Sequence, residues 1–249
     1  MSTPALAAVI LAAGQGKRMK SDLPKVMHEV GGRPMVSYVI ERARGIGADP
    51  VIAVIGHGRD QIMPLLDAEK VRYVVQEQQL GTGHAVLTAE PELTDFEGTV
   101  LVLAGDVPLL SEATLASAAE LHRQKQAVVT IITAKAPDPT GYGRILRDSS
   151  DAIVGIREHK DASESERNIN EINSGILLFD ARFLFDALHR IGNDNAQGEY
   201  YLTDVVFQAF DAGKPVAGFI APFDEIQGVN SPDDLARAER IWGERSGLA

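Results

Sequence analysis

Basic side chains crowd a glycine-containing turn in Leu11-Ala12-Ala13-Gly14-Gln15-Gly16-Lys17-Arg18-Met19-Lys20-Ser21-Asp22-Leu23-Pro24-Lys25. Small residues let backbone N–H groups close on phosphate oxygens. Lys17, Arg18, Lys20 and Lys25 face a single Asp22 in this stretch, so the loop is cationic as well as small. Met19 stands where a dinucleotide fingerprint places its third glycine, and no Gly-x-x-x-x-Gly-Lys-Ser/Thr pattern can be read. A dinucleotide pyrophosphate can be held largely by backbone groups. A triphosphate that loses pyrophosphate needs fixed positive charge on the leaving group. The side chains therefore suit a small, highly phosphorylated ligand undergoing transfer.

Other polar groups could join this loop. Asp106 follows the apolar run Val100–Ala104 and Gly105, which sets its carboxylate where Mg²⁺ bridging phosphates could be held. Asp at a strand end is equally at home as a turn or cap residue. Gln76 carries a side-chain donor and acceptor able to match a base edge, and Gly81 would let a base approach the backbone. Without further information Gln76–Ala85 reads as a polar loop, Glu158 as a surface carboxylate and Asn173 as a strand-edge amide. The six histidines show no metal-ligand spacing and read as surface or packing residues.

The elements that must position these groups alternate. Leu6–Leu11, Val51–Ile55, Val71–Val75, Val100–Ala104 and Val128–Thr133 read as buried strands, with helical segments between them. Pro34 can open a helix over Met35–Arg44, with Val36, Val39, Ile40 and Ala43 on one face and Gly45 and Gly47 ending it. This order predicts an α/β fold, a doubly wound and mostly parallel Rossmann-like sheet whose crevice lies at the strand carboxyl ends. After residue 135 the strands become shorter: Arg144–Leu146, Ile153–Ile156 and Ile172–Phe179. Only Phe183–His189 and Thr203–Asp211 read as helices there. This half is expected to form a smaller β subdomain laid over the sheet. Residues 1–230 would make one domain, divided near residue 135, and 231–249 a polar, charged terminal helix opening at Ser231-Pro232.

Composition narrows the function. A net charge of −11, from 24 Lys+Arg against 35 Asp+Glu, argues against nucleic acid and anionic membranes as partners. The absence of cysteine removes thiolate nucleophiles and Cys-based zinc sites and suits a reducing, cytoplasmic setting. No apolar run approaches the ~18–20 residues of a membrane span. No repeat of 20–50 residues is visible.

The first motif, Leu-x-Ala-Gly-x-Gly-x-Arg-Met with Pro24-Lys25, resembles the signature of the nucleotide-sugar pyrophosphorylases. Six further segments narrow the likeness: Gln76-Glu-Gln-Gln-Leu-Gly81-Thr82-Gly-His-Ala85, Ala104-Gly105-Asp106-Val-Pro108-Leu, Pro139-Thr-Gly141-Tyr-Gly143-Arg144, Glu158-His-Lys-Asp161-Ala, Asn170-Glu-Ile-Asn173-Ser-Gly175 and Gln197-Gly-Glu199-Tyr-Tyr-Leu-Thr203-Asp. Together with Gly228-Val-Asn230 they resemble the uridylyltransferase domain of the bacterial bifunctional N-acetylglucosamine-1-phosphate uridylyltransferase/glucosamine-1-phosphate acetyltransferases.

That resemblance implies the pyrophosphorylase-type fold and transfer of UMP from UTP to N-acetylglucosamine 1-phosphate, giving UDP-N-acetylglucosamine and pyrophosphate, precursor supply for peptidoglycan and lipopolysaccharide. It implies Mg²⁺ on Asp106 and Asn230, with Arg18 and Lys25 as the catalytic cations. The nucleotide falls to Leu11, Ala12, Ala13, Gly14, Lys25, Gln76, Gly81 and Thr82. The sugar falls to Gly105, Gly141, Glu158, Asn173, Glu199, Thr203 and Asn230, with Tyr200 nearby. Some members carry an aromatic residue before Gly-Asp, where this chain has Ala104, which leaves N-acetyl recognition open. Full-length members continue into a β-helix of hexapeptide repeats that carries the acetyltransferase and drives trimer formation. No such repeat precedes Ala249, so the expectation is uridylyltransferase activity without acetyltransferase activity or an obligate trimer.

Three other readings remain. A transferase using another nucleoside triphosphate or sugar 1-phosphate would share the first motif but not the Glu158 and Asn173 segments. A non-catalytic nucleotide-sugar sensor would be expected to lack Lys25 or Asp106. An NAD-dependent oxidoreductase would want an acidic residue ending the second strand, which here ends in Gly56-His57.

Overall fold

The computed structural model describes residues 5–247. Parts of the expected segments that fall on residues 1–4 and 248–249 lie outside them.

β1 (Leu6–Ala12) is buried on both faces, and its alternation shows how the core is divided. Ala8, Ile10 and Ala12 enter one apolar cluster, whereas Ala7, Val9 and the following Ala13 enter the other. Successive side chains on a strand point to opposite faces, so an unbroken apolar run serves two covering layers. A small hairpin, β2 (Glu29–Val30) and β3 (Arg33–Pro34), leads into helix α1 (Met35–Gly45). Val36, Val39, Ile40 and Ala43 of α1 all lie in the first cluster, as their helical spacing predicts.

Then follow β4 (Val51–Ile55), α2 (Arg59–Ala68), β5 (Arg72–Val75), α3 (Thr82–Thr88), β6 (Thr99–Ala104), α4 (Glu112–Gln124) and β7 (Val129–Lys135). The second half supplies β8 (Arg144–Arg147), β9 (Ile153–Arg157), α5 (Glu164–Arg167), β10 (Glu171–Asp180), α6 (Ala181–Leu188), α7 (Asp204–Asp211), β11 (Val216–Ile220), α8 (Phe223–Ile226) and α9 (Pro232–Ser246).

The main sheet runs β11-β7-β10-β6-β1-β4-β5, with β8 and β9 branching from β10. β1 is parallel to β4 and β6, and β4 to β5. The second half does not simply lie over this sheet. β10 enters it, antiparallel to both β6 and β7, and β11 extends it parallel to β7. β10 is ten residues long and almost wholly buried, so a central place satisfies both its edges and both its faces. Only β8 and β9 form the expected outlying β layer.

The terminal helix is polar and charged as expected, and it also carries an apolar stripe. Leu235, Ala238, Ile241 and Trp242 form a narrow stripe at helical spacing and pack with Met19, Val30, Met35, Tyr38, Leu109 and Val229. The abundant charges on its other faces hide this stripe in composition. Ser231 caps the helix by accepting from the Asp234 backbone N–H, and Pro232 occupies the first turn. No helix among the described residues is long and apolar enough to cross a membrane.

Candidate functional site

The glycine-containing turn leaves the carboxyl end of β1 and closes into two 3₁₀ turns, Lys17–Met19 and Lys25–Met27. No α-helix begins until Met35, so countercharge here comes from side chains rather than from a long helix dipole. Met19 is buried, which anchors the turn in the third apolar cluster, while Lys17, Arg18 and Lys20 stay exposed. Gly16 sits at φ 58°, and a Cβ there would lie 2.7 Å from the Lys25 Cβ. Its missing side chain is what admits Lys25.

Lys25 reaches the end of the neighbouring strand. Its ammonium makes an ion pair with the Asp106 Oδ2 and donates to the Asn230 Oδ1 at 3.0 Å. Gly105 N–H donates to the Leu11 carbonyl at 3.0 Å, so the ends of β1 and β6 stay in register up to Asp106. Asn230 is presented by the start of α9: Asp234 accepts its backbone N–H at 3.1 Å, and its own amide donates to the Gly228 carbonyl at 3.1 Å. Val229 N–H donates to the Asp106 carbonyl at 2.9 Å, which fastens the segment to the strand end. Gly228 entered the sequence reading only as part of the Gly228-Val-Asn230 segment, and Asp234 was not singled out.

A carboxylate oxygen and an amide oxygen thus converge on one cationic nitrogen. That donor set fits a hard divalent cation, which prefers oxygen ligands. Among the described residues no group of three or more His, Cys, Asp or Glu could hold a metal ion. Asp106 and Asn230 would need phosphate and water oxygens to complete a shell.

The Gln76 loop lies on the other side of the turn. His57 N–H donates to the Ala13 carbonyl at 3.3 Å, and Gln79 donates to the Gln76 carbonyl at 3.1 Å. Gln76 is itself buried, its amide donating to the Gly81 carbonyl at 3.2 Å and meeting the His84 Nδ1 at 2.8 Å. His84 therefore supports this loop, a role its lone position gave no means of reading. Gly81 adopts φ 115°, and a Cβ there would come within 2.6–2.9 Å of Tyr200 backbone atoms and the Glu199 Cβ. Thr82 Oγ1 accepts from Leu202 N–H at 3.1 Å, and Tyr200 N–H donates to the Leu80 carbonyl at 2.8 Å. The Gln76–Thr82 loop is zipped to the Glu199–Thr203 segment.

Glu158 and Thr203 meet, the Thr203 hydroxyl donating to Oε1 at 3.0 Å. Burial pushes the Glu158 carboxyl above its ordinary value; the Thr203 bond opposes this and the neighbouring Asp161, Asp204 and Glu199 add to it. Asp161 accepts from Ala196 N–H at 2.8 Å and from the Tyr201 hydroxyl at 3.2 Å. Burial, with Asp161 nearby, pushes the Tyr201 phenol up to about 12. Asn195 holds Glu199 from both sides, accepting its N–H at 3.2 Å and donating to its carbonyl at 2.5 Å.

Asn173 stands at a register irregularity of β10 between Asn173 and Leu177, the place where a bulge re-aims a side chain. The bulge is built by its own Asn-Ser-Gly sequence. Asn173 Oδ1 accepts from Gly175 N–H at 3.0 Å, and the Ser174 hydroxyl donates to the Ile132 carbonyl at 2.6 Å. Asn173 N–H donates to the Gly143 carbonyl at 2.9 Å. Gly141 is exposed at φ 86° in the adjoining turn. Burial raises the phenol of the following Tyr142, with the Asp234 and Asp106 charges adding and Arg237 and Arg18 opposing. Those neighbours place the Gly141 turn beside the Asp106 cluster.

Comparison with known proteins gives the family and the fold. The MobA-like NTP transferase domain matches residues 8–170. The bifunctional protein GlmU of Exiguobacterium sp. is 51% identical over 240 residues, covering 96% of this chain and 53% of that protein. The bifunctional protein GlmU of Geobacillus thermodenitrificans is 50% identical over 239 residues, covering 96% and 52%. The chain spans about half the length of the curated relatives it matches. A solved UDP-glucose pyrophosphorylase complexed with UDP-glucose shares the fold at a TM-score of 0.77 and 19% identity, covering 97% of this chain and 99% of that one. A putative glucose-1-phosphate thymidylyltransferase from Bacillus anthracis also superposes at 0.77, with 19% identity and 95% of each chain covered.

Proposed function

The chain belongs to the family of MobA-like NTP transferase domains, and from that premise we propose that it transfers UMP from UTP to N-acetylglucosamine 1-phosphate. The observation that carries the reading is the convergence of Lys25, Asp106 and Asn230 on one point beside the cationic, glycine-containing turn. The likeness to bifunctional GlmU proteins along 96% of the chain supports the choice of UTP and of this sugar phosphate.

A phosphate oxygen of the sugar 1-phosphate attacks the α-phosphorus of UTP as the bond to the β-phosphate oxygen breaks, and pyrophosphate departs. The attacking oxygen is already anionic at neutral pH, so no general base is required. The obstacle is repulsion between two phosphorylated substrates. Lys25, ion-paired with Asp106, serves the reacting phosphates during transfer, while the exposed Arg18 takes the departing ones. Mg²⁺ held by Asp106 and Asn230 would supply further positive charge on the transferring phosphate. Ala13, Gly14, Gln76, Gly81 and Thr82 hold the uridine, with Leu11 and Ala12 setting the turn. Glu158, Asn173, Thr203, Glu199, Gly105 and the Gly141 backbone orient the sugar, because fixed polar groups discriminate hydroxyl patterns strongly.

A panel of nucleoside triphosphates against sugar 1-phosphates, read by pyrophosphate release, tests the proposal. Release should be fastest with UTP and N-acetylglucosamine 1-phosphate. A different best pair would replace the substrate assignment, and no release with any pair would remove the enzymatic reading.

A further inference from the structure

Arg144 lies in the turn-and-strand segment that follows Gly141, and its side chain is among the largest that are fully buried, at 1% exposure. Buried arginines are normally matched by a carboxylate, because an unpaired cation in the interior is costly. The recorded partners of this one are different. Nη1 donates to the Tyr142 carbonyl, and Nη2 donates to the Arg167 carbonyl at 3.3 Å and approaches the His159 Nδ1 at 3.4 Å. Nε is buried with no partner among the described residues. Burial holds the guanidinium below arginine's usual value, with the Asp138 charge opposing.

The three acceptors belong to three different pieces of chain. Tyr142 adjoins Gly141, His159 adjoins Glu158, and Arg167 closes α5. The Arg144 backbone pairs on one side with Arg157 of β9 and on the other with Ile172 of β10, one residue from Glu158 and from Asn173 respectively. A planar fork with five N–H donors can serve separate acceptors at fixed angles, which a lysine point charge cannot. Donation to His159 Nδ1 requires that ring to keep its proton on Nε2.

We propose that Arg144 is a positioning residue for the sugar phosphate, its guanidinium locking the Gly141 turn, the Glu158 segment and the end of α5 into one geometry. This rests on the sugar assignment above and adds a residue that touches no substrate. Its buried, partly unsatisfied charge is a cost to stability.

The test uses Arg144→Lys, which keeps the charge and loses the fork, and His159→Ala, which removes one acceptor and leaves Arg144 in place. KM and kcat for N-acetylglucosamine 1-phosphate are measured at saturating UTP, and UTP affinity separately by calorimetry. Arg144→Lys should raise the sugar-phosphate KM roughly 10- to 10²-fold, the scale of a misplacement near 1 Å, and keep UTP affinity within about twofold. His159→Ala should show the same selectivity at smaller amplitude. Unchanged KM in folded variants, or equal losses for both substrates, would overturn the proposal. Should Arg144→Lys not fold, His159→Ala decides alone. If the parent protein turns over another sugar 1-phosphate instead, the substrate assignment fails and the same measurements with that substrate judge Arg144.

Discussion

Removing the Lys25 ammonium tests the centre of the site through stability as well as rate. In Lys25→Met the Asp106 carboxylate, whose side chain is 11% exposed, loses its counter-ion, and the Asn230 Oδ1 loses a donor. Breaking a fully buried pair from one side costs about 3–5 kcal/mol. The Lys25 side chain is 19% exposed, so water reaches the pair and about 2–3 kcal/mol is the reasonable figure here. Asp106→Asn should cost about as much, since it strands the ammonium. The double variant restores neutrality and should fall short of the sum by about 2 kcal/mol. Urea unfolding of the four proteins in EDTA closes this cycle, and adding Mg²⁺ should stabilise Lys25→Met more than the parent. Turnover of Lys25→Met, measured with saturating substrates, should drop by roughly 10²–10³-fold. Stabilities that add to within about 0.5 kcal/mol would mean that Lys25 and Asp106 do not form one electrostatic unit, and the reasoning would fail.

Glu158 binds its proton more tightly folded than unfolded because burial raises its pKa. Its ionised form therefore destabilises the protein at neutral pH, a cost that disappears as pH falls through the ordinary carboxylate range. Glu158→Gln should be more stable than the parent at pH 7 and no more stable near pH 3, by thermal unfolding, while sugar-phosphate turnover falls; equal stability at both pH values would contradict the burial argument. Gly81→Ala places a Cβ against the Tyr200 backbone at an unfavourable φ and should cost about 2–4 kcal/mol. Calorimetry should show UTP affinity weakening with it, and an unchanged melting temperature would refute the close approach. Asp106→Asn should also raise the Mg²⁺ concentration needed for half-maximal turnover, and a titration that overlays the parent's would leave Asp106 a turn residue only.

The central strands and α1 were legible because their pattern is local. Val51–Ile55 matches β4 residue for residue, and the apolar face of α1 could be read from spacing alone. β10 was legible as a strand but not as an antiparallel insertion, since its neighbours are chosen by long-range packing. β11 and α5 were missed. The first is only a five-residue run with a glycine at its centre, although the second carries a readable capping box from Ser163 to Glu166. Site residues could be named from motifs, yet their convergence could not. Lys25 meets Asp106 across 81 positions and Asn230 across 205, beyond the reach of any local pattern. Arg144 was visible only as a motif letter; its burial without a carboxylate partner among the described residues is set by long-range packing.

The stripe on α9 ends in Trp242, the single tryptophan of the chain. Its indole lies so close over Gly31 that a Cβ there would fall 2.4 Å from ring atoms, and Gly31 N–H donates to the Glu239 Oε2 at 2.9 Å. The same cluster holds Met19 of the phosphate turn and Val229 beside Asn230. The protein thus carries its one tryptophan, which can be excited apart from its five tyrosines, at the joint between the terminal helix and the cationic turn. Excited at the indole band, it reports a single environment with no background from a second tryptophan. Detachment of α9 would shift its emission to the red, and any tightening of the turn around nucleotide would reach it through Met19. Ligand occupancy can then be followed by colour and anisotropy in the unlabelled protein.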